Sequence, residues 1–76
     1  MPRLPAVSGR QAVAAFQKAG FEILRRRGSH IIIVKDDIRV MLSVPEHRQL
    51  EPGALRALIR KAGLTAQEFE ELLKSY

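Results

Sequence analysis

Residues 21–44, FEILRRRGSHIIIVKDDIRVMLSV, decide the fold. Three runs rich in Ile and Val, Phe21 to Arg27, His30 to Lys35 and Ile38 to Val44, are divided by Gly28-Ser29 and Asp36-Asp37. Such runs favour strands and such dividers favour turns, so the stretch predicts a three-stranded antiparallel meander. With Asp36-Asp37 as a two-residue loop, Lys35 opposes Ile38, Ile33 opposes Val40, Ile31 opposes Leu42 and His30 opposes Ser43, and opposed residues share a face. Ile31, Ile33, Val40 and Leu42 then face inward. His30, Ile32, Val34, Arg39, Met41 and Ser43 fall on the other face. Side chains alternate along a strand, so Arg25 and Arg27 share one side and Arg26 takes the other. Whatever the register of the first hairpin, at least one of these arginines shares the face of His30.

Helices flank the meander on both sides. Ser8 followed by Gln11 is a capping-box pattern, and Gly20 suits the left-handed residue that ends a helix, which predicts a helix over 9–19. Its positions Ala12, Val13, Phe16 and Ala19 make one apolar stripe. Pro52 suits the first turn of a second helix and Gly63 its end, with Leu55, Leu58, Ile59 and Ala62 inside and Arg56, Arg60 and Lys61 outside. Thr65 and Glu68 form another capping box, opening a third helix with Phe69, Leu72, Leu73 and Tyr76 on its inner side. The order α-β-β-β-α-α predicts an α+β arrangement with the helices on one face of the sheet.

Composition narrows the function. The 76 residues, 46% of them apolar, suit a single domain spanning 1–76. The absence of cysteine excludes disulfide frameworks and thiolate metal sites. The net charge is +5, and residues 1–64 carry twelve bases against five acids, because Glu68, Glu70 and Glu71 lie in the last helix. The basic surface therefore lies upstream of that helix and favours an anionic partner such as nucleic acid. No run is apolar enough for export or for crossing a bilayer, so the expectation is a cytoplasmic protein without membrane contact.

An imidazole beside guanidinium groups, on a sheet face open to solvent, suits a phosphodiester. RNA supplies its own nucleophile in the 2′-OH. Cleavage then needs a group to accept that proton, a donor for the leaving 5′-oxygen, and positive charge for the phosphorane. Histidine titrates near neutrality and can do the first two jobs. Arg25, Arg26, Arg27 and Arg39 are the candidate phosphate contacts, and His47 is a candidate helper or RNA contact. The two histidines and Asp36-Asp37 have the spacing of no compact ligand set, so neither a metal nor another cofactor is expected. Two other readings fit the same residues: a noncatalytic RNA-binding module, and a protein-docking face built on Ile32, Val34 and Met41.

Ala19-Gly20-Phe21, Gly28-Ser29-His30, Val44-Pro45-Glu46-His47, Pro52-Gly53-Ala54-Leu55 and Ile59-Arg60-Lys61-Ala62-Gly63-Leu64, in this order, resemble the HicA family of toxins. The resemblance covers nearly the whole chain. It implies a small double-stranded-RNA-binding-like fold and a toxin of a type II toxin–antitoxin system that cleaves mRNA. It also implies a HicB-type antitoxin as partner and His30 as the catalytic histidine. Ala54 departs from the threonine often found in the family, which removes a hydroxyl near the start of the second helix.

Overall fold

The computed structural model describes residues 4–75. Helix α1 spans Gly9–Lys18, the strands β1, β2 and β3 span Glu22–Arg27, His30–Lys35 and Val40–Pro45, and helices α2 and α3 span Pro52–Lys61 and Ala66–Lys74. The sheet is antiparallel in the order β1-β2-β3. This is the α+β class expected from the sequence. The inner-side position expected at Tyr76 lies outside the described residues.

Local chemistry accounts for the helix boundaries. The amide of Gln11 donates to Ser8 Oγ at 3.1 Å, and the Ser8 amide donates to Gln11 Oε1 at 2.8 Å. Thr65 and Glu68 repeat the pattern with the same two distances. Each box satisfies donors that an uncapped helix leaves open. At the other ends, Gly20 (φ 105°) and Gly63 (φ 79°) reverse the chain. Phe21 N–H then donates to the Phe16 carbonyl and Leu64 N–H to the Ile59 carbonyl, so Lys-Ala-Gly-apolar closes α1 and α2 in the same way.

All three helices lie on one side of the sheet. Phe16, Phe69, Leu55 and Ile59 pack with Ile31, Ile33, Leu42 and Val44 into one apolar cluster. The Phe16 ring sits 5.6 Å from Phe21 and 5.1 Å from Phe69, centroid to centroid. Lys18 ties the termini of this layer together, its ammonium donating to the carbonyls of Leu72 and Ser75 at the end of α3. Among the described residues, no helix is long and apolar enough to cross a membrane.

The second hairpin corrects one expectation. Lys35 pairs with Val40, not Ile38, because the connection is four residues long: a 3-10 turn over Asp36–Ile38, then Arg39 with φ 50°. Ile33 therefore opposes Leu42, Ile31 opposes Val44, and His30 opposes Pro45. A slip of two residues preserves the alternation, so the faces from Val40 to Ser43 stand as expected although the partners change, whereas Arg39, expected on the open face, lies in the turn outside the sheet. Val44 joins the buried side, and Val40 is only half-buried. Ile32 keeps its place on the open face yet is 8% exposed, sitting in the central strand between Arg25 and Ser43.

Candidate functional site

The first hairpin builds the site. Arg27 opposes His30 across a two-residue turn, with Gly28 at φ 58° in the first turn position. A left-handed residue there is what a tight hairpin needs to match the twist of its strands. Further along, Arg25 opposes Ile32 and Ile23 opposes Ile33, which leaves Leu24 as a bulge. The bulge changes the alternation, so that Arg25 and Arg27 both lie on the face of His30 and Arg26 lies on the helix side.

On the open face, Arg27, His30, Ile32 and Ser43 line a shallow hollow. His30 is exposed and, among the described residues, its imidazole makes no hydrogen bond. Directly opposed strand residues have Cα atoms about 5 Å apart. An anion on the hollow therefore meets the guanidinium of Arg27 and the ring of His30 together. Arg25, two pairs further along, extends the positive charge on the same face and forms no ion pair among the described residues. Ile32 provides an apolar floor and Ser43 a hydroxyl.

Arg26 has a different role. Its Nη1 lies 2.9 Å from Glu46 Oε1, and Arg10 Nε lies 3.1 Å from Glu46 Oε2. The Glu46 side chain is only 14% exposed. Its amide donates to the Ser29 carbonyl at 2.7 Å, and the neighbouring His47 carbonyl accepts from Gly9 N–H at 2.9 Å. Residues 46–47 thus join the start of α1, strand β1 and the turn that carries His30. Sequence reasoning missed Glu46, whose one signal is that it is the sole acid between Asp37 and Glu51.

Two other candidates stand apart from the hollow. Arg39 occupies the loop at the far end of the second hairpin, beside Lys35 and Val40. Five strand steps separate that end from His30, about 17 Å at 3.4 Å per residue. His47 is exposed in the connection from β3 to α2, where the chain has turned toward α1, and does not line the hollow. No three His, Cys, Asp or Glu side chains among the described residues come together as a metal-ligand set.

The fold and the hollow define a small α+β domain that presents a cationic, histidine-bearing sheet face. A family model described as HicA toxin of bacterial toxin–antitoxin matches residues 9–64. The chain belongs to the HicA toxin family, and so to the toxins of bacterial toxin–antitoxin systems, whose partner is an antitoxin. A search of curated proteins returns no match.

Proposed function

We propose that the protein is a metal-independent endoribonuclease that cleaves mRNA at the hollow around His30, and that a HicB-type antitoxin neutralises it. The observation that supports this reading best is the direct opposition of Arg27 and His30 on the open face. His30 accepts the 2′-OH proton or donates to the leaving 5′-oxygen, and Arg27 and Arg25 offset the charge that builds on the phosphorus centre. Arg26, Arg39 and His47 are secondary. Arg26 lies on the helix side and shares the Glu46 carboxylate with Arg10, and the other two meet RNA only where it extends beyond the hollow.

Salt dependence tests the assignment of the arginines. Each phosphate contact to a single strand steepens the fall of log K with log salt by about 0.7. Arg25→Gln and Arg27→Gln together are expected to flatten that slope by roughly 1.4, while Arg26→Gln leaves it unchanged. A slope that flattens only with Arg26→Gln, or with changes at Arg56 and Arg60 on α2, places the RNA elsewhere. Cleavage of a defined RNA is expected to proceed at the same rate in excess chelator, and loss of activity on chelation, restored by a divalent ion, contradicts the metal-independent scheme.

A further inference from the structure

The sheet has two edge strands, β1 and β3. At β3, α1 and α2 pack on the helix side and bury Leu42 and Val44, while Met41 on the open side is exposed. At β1, all six residues from Glu22 to Arg27 are exposed, and the strand ends the sheet. Among the described residues its outward backbone N–H and C=O groups therefore have no strand partner, the arrangement that accepts an added strand.

The side chains of β1 sort into two faces. On the open side stand Arg25 and Arg27, without ion pairs among the described residues, and at the start of the strand Glu22, before the stretch from Ile23 to Arg27. On the helix side stand Ile23, 52% exposed, and Arg26, which shares the Glu46 carboxylate with Arg10. Leu24, at the bulge, is 51% exposed. Charges and bulges blunt an edge against indiscriminate pairing. Here the bulge lies at Leu24, and Arg25 to Arg27 pair regularly with β2 beyond it. Like charges directly opposite destabilise a strand pair and opposite charges stabilise it. Cationic strands are repelled, and an acidic one is admitted.

We propose that the outer edge of β1 is a docking strand for an acidic, extended segment of the antitoxin, which adds as a fourth strand beside Ile23 to Arg27. Backbone bonds supply affinity in such an addition, and alternate side chains supply specificity. The segment that fits carries carboxylates on the open side, against Arg25 and Arg27, and apolar residues between them, against Ile23. The inference rests on the toxin reading for its consequence. Carboxylates at Arg25 and Arg27 occupy the cations that flank His30, so docking and RNA binding exclude one another.

The test uses the full chain with His30→Ala, labelled with 15N, and a capped octapeptide of alternating glutamate and valine. Shift changes and slowed amide exchange are expected over Ile23 to Arg27. An octapeptide of alternating lysine and valine is expected to leave these amides unmoved. Ile23→Asp is expected to weaken the acidic peptide about fivefold, as the loss of roughly 1 kcal/mol of contact would, and in the chain that retains His30 it leaves RNA cleavage unchanged. The proposal is overturned by no shift at millimolar peptide, by shifts centred on Arg56 and Arg60, by equal binding of the lysine peptide, or by no effect of Ile23→Asp. Concentration-dependent protection of β1 without peptide overturns it in favour of a second copy; an RNA oligonucleotide is itself expected to shift Arg25 and Arg27, and shifts with RNA but none with the acidic peptide overturn the proposal in favour of an RNA-only surface. Because docking is read on a chain without the histidine, failure of the ribonuclease reading and failure of this one are separate results.

Discussion

His30→Ala is expected to lower RNA cleavage by about 100- to 10,000-fold, the range for loss of one positioned acid–base group, and to abolish growth arrest. The fold is expected to survive. His30 is exposed at the start of β2 and, among the described residues, its imidazole makes no hydrogen bond. Truncating it therefore opens no cavity in the cluster behind Ile31 and Ile33, and such surface changes usually cost within about 0.5 kcal/mol. RNA affinity is expected to persist, since Arg25 and Arg27 remain. Cleavage of a defined RNA by a nuclease-free preparation, read beside the thermal transition, separates the outcomes. Wild-type cleavage by the variant removes His30 from the chemistry and leaves an RNA-binding module as the better description. Loss of cleavage together with loss of the thermal transition makes the histidine structural. His47→Ala is the comparison, and its exposed place outside the hollow predicts a smaller loss.

The helix ends and strand faces were legible because each depends on a few neighbouring residues. Ser8 with Gln11, Thr65 with Glu68, and the Gly20 and Gly63 endings are local hydrogen-bond solutions, and the structure forms all four. Strand pairing is less local. Ile38 reads as a strand residue by composition, yet it is 48% exposed in a turn that Arg39 closes with a left-handed backbone. A Lys-Asp-Asp-Ile sequence offers no glycine or asparagine to announce that turn. The bulge at Leu24 was equally silent, although it decides which arginines join His30. Bulges arise from how a whole strand twists on its partner, not from one residue type. His30 is a candidate in the sequence because its chemistry stands out among Ile, Val and Arg, and the structure places it opposite Arg27. The ion pair of Arg26 was not legible because its partner, Glu46, is twenty positions away in sequence.

Gly9→Ala is expected to destabilise the fold by about 2–3 kcal/mol, the upper part of the cost of overpacking a close-packed contact. Helix propensity alone gives the opposite sign. Gly9 is the first residue of α1, and replacing a helical glycine by alanine generally stabilises by roughly 0.5–1 kcal/mol. Here a Cβ on Gly9 would lie 1.9 Å from the carbonyl oxygen of Pro45 and 3.1 Å from the Cα of Glu46. Both neighbours are backbone and cannot rotate away. Relief requires α1 to move off β3, which breaks the Gly9 N–H bond to the His47 carbonyl and strains the Arg10–Glu46 pair. For a domain of this size each kcal/mol shifts the thermal midpoint by about 4–8 °C, so the midpoint is expected to fall by about 8–24 °C. Glu46 also holds the Ser29 carbonyl at the turn before His30, so cleavage by the folded fraction is expected to fall as well. A raised midpoint would show that propensity outweighs the contact and that α1 does not depend on this close approach.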